Sequence, residues 1–206
     1  MAKEKKGGAI SKKTLALVQT AILAALMLIL NFTGIGYFKI GVFSLTVMMA
    51  PVIIGAITVG KTAGAVLGAV FGLTVILLPE TQLFMSVNLP LTIMLCVGLR
   101  GLLLGFLCGL TFEGFKKIDK TRLWSFIATG LLASLLNTVI TIGGIALIFG
   151  SNPTVLEALG MSGFGKMEVF AAFMSLVGVQ AIIEAFLCTF TAVTVAKPVT
   201  VYINKN

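Results

Sequence analysis

Residues 14–31, TLALVQTAILAALMLILN, constrain this chain most, because they carry no charge once Lys12 and Lys13 are passed. Crossing the hydrocarbon core of a bilayer takes about 20 mostly apolar residues at about 1.5 Å of rise each. Similar runs recur at 44–60, 63–78, 91–111, 123–149 and 167–196. With 58% hydrophobic and 11% charged residues, the chain cannot cover itself with a water-compatible surface, so the bilayer is its solvent. Backbone N–H and C=O groups in lipid must be satisfied within their own segment, which predicts an all-α membrane protein with six transmembrane helices. The layout is a basic segment over 1–13, a six-helix domain over 14–196 and a tail over 197–206.

The formal charge of +8 could suggest nucleic acid, but the positions of the basic residues argue against it. Lys3, Lys5, Lys6, Lys12 and Lys13 precede the first run, and Lys61 separates the second from the third. Lys116, Lys117, Lys120 and Arg122 separate the fourth from the fifth, and Lys197 and Lys205 follow the sixth. Lys39 and Lys166 fall on the opposite side, and Arg100 sits near or inside a run. The positive-inside rule makes the richer side cytoplasmic, with both termini inside and no nucleic-acid partner. The first run is too long for a cleaved leader and lacks a clear small-residue cleavage site, so it reads as an anchor.

Ala21 and Ala25 lie four apart with Ala24 beside them, giving one helix face a strip of methyl groups. Such a strip serves either packing within the bundle or docking onto another protein. After the first run, Gly34, Gly36 and Gly41 break helix, while Tyr37 and Lys39 suit an interface. Pro51 is expected to kink the second run. Gly55 to Thr62 (GAITVGKT) fits the phosphate-loop pattern letter for letter. Its flanks are two membrane runs rather than a strand and a helix, and Asp119 is the sole aspartate, so the stretch reads as a tight cytoplasmic turn. Gly60, Gly64, Gly68 and Gly72, with Gly101, Gly105 and Gly109, form two glycine stripes that predict close packing of the third and fourth helices. Cys96, Cys108 and Cys188 are widely spaced in apolar surroundings and histidine is absent, which points to buried structural thiols and no metal site.

Against this apolar background a few polar residues stand out. Arg100 interrupts the fourth run, either snorkelling to the outer interface or turning inward to meet an anionic group. Asn137 lies mid-run in the fifth, and Gln180 and Glu184 share one face of the sixth. Their common origin in the C-terminal half predicts one polar cavity among helices four to six, opening outward. The proline-bounded loop with Asn88 and the glycine-rich loop over 150–166 are too apolar to be tethers and are expected to cover it.

Several stretches resemble the substrate-binding S-components of energy-coupling-factor vitamin transporters. They are AILAAL in the first run, GYFKIGVFSLT from Gly36, PVIIGA from Pro51 and AGAVLGAVFGLT from Ala63. Arg100 before GLLLG, LNTV from Leu136 and the Gln180-x-x-x-Glu184 pair continue the likeness over nearly the whole chain. Leu99 stands where the family often has proline, and Gln180 where it has asparagine. The resemblance implies a multi-pass subunit of a prokaryotic plasma membrane that captures a small vitamin outside the cell. It implies docking through Ala21, Ala24 and Ala25 onto a shared transmembrane coupling protein carrying two cytoplasmic ATPases. ATP is then used by those partners, and no cofactor belongs to this chain. The likeness is nearest the pantothenate group, with Arg100, Asn137, Gln180, Glu184, Asn88, Tyr37 and Lys39 as expected ligand contacts. The alternatives are the same role for folate, riboflavin or a thiamine precursor, an intramembrane enzyme using Glu184, or a structural membrane subunit.

Overall fold

The computed structural model describes residues 11–40, 43–78, 81, 82, 85, 90–119, 123–149 and 163–205. Most of the two expected covering loops, including Asn88, lies outside these residues, as do the first ten residues with their basic cluster. Helix α1 spans Lys12–Phe32 and ends where Gly34 takes a φ of 73°. A two-stranded antiparallel hairpin follows, β1 Tyr37–Ile40 and β2 Phe43–Thr46, with Tyr37 opposite Thr46 and Lys39 opposite Ser44. Then come α2 Met49–Thr58, α3 Lys61–Ile76, α4 Pro90–Ile118, α5 Leu123–Phe149 and α6 Lys166–Thr191. A π turn, Ala192–Ala196, leads into α7, Lys197–Lys205.

The expected second membrane run is therefore corrected. Its first residues belong to β2, and the helix keeps ten residues, about 15 Å. Pro51 sits in the first turn of α2 and does not kink a longer helix, because its missing N–H costs nothing where no intrahelical partner exists. Four stretches among the described residues have the length and composition to cross a membrane: Lys12–Phe32, Pro90–Ile118, Leu123–Gly144 and Gln180–Tyr202. Helices α2 and α3 are apolar but shorter. The expected tail is likewise helical in its described part. Pro198 cannot donate, and its ring would meet the carbonyl of Thr194 in a regular helix, so the widened π turn relieves that contact just before it.

The glycine stripes act as expected. Helices α3 and α4 run side by side with Gly64 against Gly105, Gly68 against Gly101 and Gly72 against Gly98, backbone to backbone. In lipid, where apolar side chains gain nothing by avoiding the solvent, such close contact supplies the dispersion that holds helices together. Gly130 on α5 gives the same close approach to Cys188 and Thr189 on α6. At the far end of α4, Lys116 and Lys117 occupy the last turn, where the helix dipole favours cations. The Asp119 carboxylate accepts from the Ser125 backbone N–H at 2.9 Å and caps the start of α5.

The phosphate-loop lookalike is a two-residue turn between α2 and α3, with Gly60 at φ 126°. Lys61 is paired with Glu113 of α4 at 3.1 Å, with the two side chains 41% and 47% exposed. Replacing Lys61 by Met is expected to cost no more than about 1 kcal/mol, because exposed pairs gain little over hydration. Thermal unfolding in detergent checks this. Of the cysteines, Cys108 and Cys188 are buried as expected, whereas Cys96 is exposed, a correction that follows from its place on the outer face of α4 beside exposed Leu95. Large apolar side chains also face outward on α1, α5 and α6, such as Ile29, Leu135 and Phe186, a surface that only lipid solvates without penalty.

Candidate functional site

Arg100 lies in the first half of α4, with apolar residues on either side along the helix. The side chain turns inward. Its Nη1 donates to Thr141 Oγ1 of α5 at 2.6 Å, and its guanidinium carbon stands 5.6 Å from the centre of the Phe71 ring on α3. Thr141 in turn donates to the Asn137 carbonyl at 2.5 Å, one turn earlier. Asn137 Nδ2 donates to Glu184 Oε2 of α6 at 3.2 Å. The other carboxylate oxygen accepts from the Thr46 backbone N–H of the hairpin at 3.4 Å.

The sequence thus spaced four polar residues so that three helices and the hairpin end meet at one point. Asn137 is 8% exposed and Glu184 3%, so neither could be held there without partners. Two atoms nonetheless lack one. Arg100 Nε, a donor, and Asn137 Oδ1, an acceptor, are buried without a hydrogen-bond partner among the described residues. Each such group costs about 1–3 kcal/mol until something fills it. The site therefore holds a donor on a cation and a neutral acceptor that its own described residues leave unused.

Other expected residues stand at differing distances from this point. Tyr37 donates its hydroxyl to Thr74 Oγ1 at 3.1 Å, because the Thr74 proton is already given to the Phe71 carbonyl at 2.8 Å. Thr74 lies one turn from Phe71, the ring beneath Arg100, which places the hairpin start at the edge of the site. Gln180 is partly buried one turn before Glu184 and engaged in interactions of its own. The backbone of Lys39 pairs with Ser44, and its side chain lies outside the described residues along with Asn88. On α1 the alanines divide. Ala21 and Ala25 are exposed, whereas Ala24 packs against the core with Leu23.

Sequence reading missed Thr141, Thr46, Phe71 and Thr74. The signal for Thr141 was present, since Ser134, Asn137, Thr138 and Thr141 recur at helical spacing in an otherwise apolar run. No such signal marks Thr46, which contributes a backbone N–H that any residue but proline carries.

The site's placement among membrane helices gives the comparison with known families its meaning. The family described as ECF transporter, substrate-specific component, matches residues 15–196. The chain belongs to this family. A comparison with curated proteins finds no match. As an S-component the chain is a membrane protein of the transporter class whose members bind substrate, which sets it apart from enzymes. The matched stretch of this S-component contains every residue of the polar site, from Tyr37 to Glu184. Among the described residues no group of His, Cys, Asp or Glu could hold a metal ion.

Proposed function

We propose that this S-component captures a small anionic vitamin from outside the cell, with pantothenate the best candidate. The observation that supports it most is Arg100, turned inward beneath Thr141 with its Nε unpartnered, two hydrogen bonds from the backbone carbonyl of Asn137, whose side-chain Oδ1 is unpartnered as well. A carboxylate suits the guanidinium, because a charge-assisted bond is about twice as strong as a neutral one. A hydroxyl or amide N–H elsewhere on the same molecule suits Asn137. Pantothenate carries both groups. A cationic thiamine precursor would meet Arg100 with like charge, whereas folate brings carboxylates and riboflavin neither charge.

In this reading both termini are cytoplasmic, the chain crosses the membrane six times with α2 and the hairpin completing one crossing, and Tyr37 and Lys39 border the entrance. Energy comes from a transmembrane coupling protein and two cytoplasmic ATPases. Ala21 and Ala25, exposed on α1, form the face that meets the coupling protein. Ala21→Trp is accordingly expected to abolish uptake into cells while leaving ligand binding in detergent nearly intact. Equal loss of both would remove α1 from the docking role. Titration of purified protein with radiolabelled pantothenate tests the ligand, with folate, riboflavin and thiamine as competitors. Stoichiometric binding without turnover supports the proposal, and displacement by one competitor alone would reassign the vitamin.

A further inference from the structure

Glu184 is an expected ligand contact, and each of its carboxylate oxygens also accepts from the protein, one from Thr46 N–H and one from Asn137 Nδ2. An ionised Glu184 accepts and does not donate, and in that state only one orientation of the Asn137 amide is compatible with it. Nδ2 must face Glu184, and Oδ1 must face away, where it stands buried and open. Turning the amide over would set Oδ1 against the carboxylate and strand Nδ2.

We infer that Glu184 is a positioning residue: it fixes the Asn137 amide so that the site offers the ligand an acceptor, and thereby selects molecules that carry a hydrogen-bond donor. This rests on Asn137 being a ligand contact, as proposed above. The hairpin takes part, because Thr46 N–H holds the second oxygen and so sets which way the carboxylate points.

Glu184 and Asn137 are therefore exchangeable as a pair. In Glu184→Gln the new carbonyl must still take the Thr46 N–H, which turns the new amide nitrogen toward Asn137. Two donors then face each other, the Asn137 amide turns over, and the ligand meets a donor in place of an acceptor. Combining Glu184→Gln with Asn137→Asp restores every bond. The glutamine amide donates to one aspartate oxygen, and the other oxygen stands where Oδ1 stood. One carboxylate is present before and after.

Pantothenate binding to the single and the combined variants, purified in detergent, tests this. Glu184→Gln is expected to weaken binding at least about tenfold, and the combined variant to recover to within about threefold of the native protein. Unchanged affinity in Glu184→Gln, or no recovery in a folded combined variant, would overturn the inference. So would failure of the combined variant to fold, since it keeps each bond; folding and binding of that variant where the single one fails would uphold it. If pantothenate binds not even the native protein, the vitamin is wrong but the inference is still read without ligand. In protein labelled with nitrogen-15 asparagine, the Asn137 side-chain amide resonance should move in Glu184→Gln, and an unmoved resonance would overturn it.

Discussion

Arg100→Ala is expected to weaken binding of the anionic vitamin by about 1.5–3 kcal/mol, the range for hydrogen bonds to a charged group, or roughly 10- to 150-fold. The guanidinium is held from two sides, by Thr141 at 2.6 Å and by the Phe71 ring beneath it, so its orientation is set before ligand arrives. Little rotamer freedom is left to lose on binding, which keeps most of the interaction in the measured affinity. Arg100→Lys should recover only part of the loss, because an ammonium cannot keep Thr141 and present a planar fork to a carboxylate at once. Isothermal titration against pantothenate checks both variants. Equal affinity for all three proteins would return Arg100 to packing against Phe71 of α3.

Gly68→Val should cost about 3 kcal/mol or more and leave little folded protein, the largest stability effect anticipated for this chain. A Cβ at Gly68 would lie against the Gly101 carbonyl and the Gly105 backbone N of α4, and backbone cannot step aside as a flexible side chain can. The helices would have to separate along their whole contact, taking Arg100 away from Phe71. Gly143 on α5 is the control. A Cβ there meets nothing within 4 Å, so Gly143→Ala is expected to be neutral or to stabilise by up to about 1 kcal/mol through helix propensity. Yield of monodisperse protein and its thermal midpoint in detergent distinguish the two. Similar behaviour of both variants would refute the packing argument.

The sequence was readable where one physical demand dominated. Spanning length with little charge marked α1, α4, α5 and α6, because lipid tolerates little else. Glycine every fourth residue marked the α3–α4 contact for the same reason. An arginine and a glutamate in apolar runs marked the site, since such groups persist only when partnered. The hairpin was missed because 44–60 is apolar enough to read as helix. Yet Tyr37, Lys39, Ser44 and Thr46 alternate with Phe38, Ile40, Phe43 and Leu45, a period of two that the pairing register then matches, like opposite like. The position of Pro51 also allowed two readings, a kink or a helix start, and local sequence alone does not choose between them. The Thr46 backbone N–H reaches Glu184 across 138 residues of sequence, a contact that no spacing rule anticipates.

Binding of an anionic vitamin at Arg100 predicts what the native protein holds between α4, α5 and α6. Purifying it from cells in mild detergent, releasing small molecules by denaturation and identifying them by mass spectrometry tests this most directly. The expected result is one carboxylic acid bearing a hydroxyl or amide donor, close to one per chain, and lost in Arg100→Ala. Recovery of no small molecule, or of a neutral or cationic one retained equally by Arg100→Ala, would contradict it.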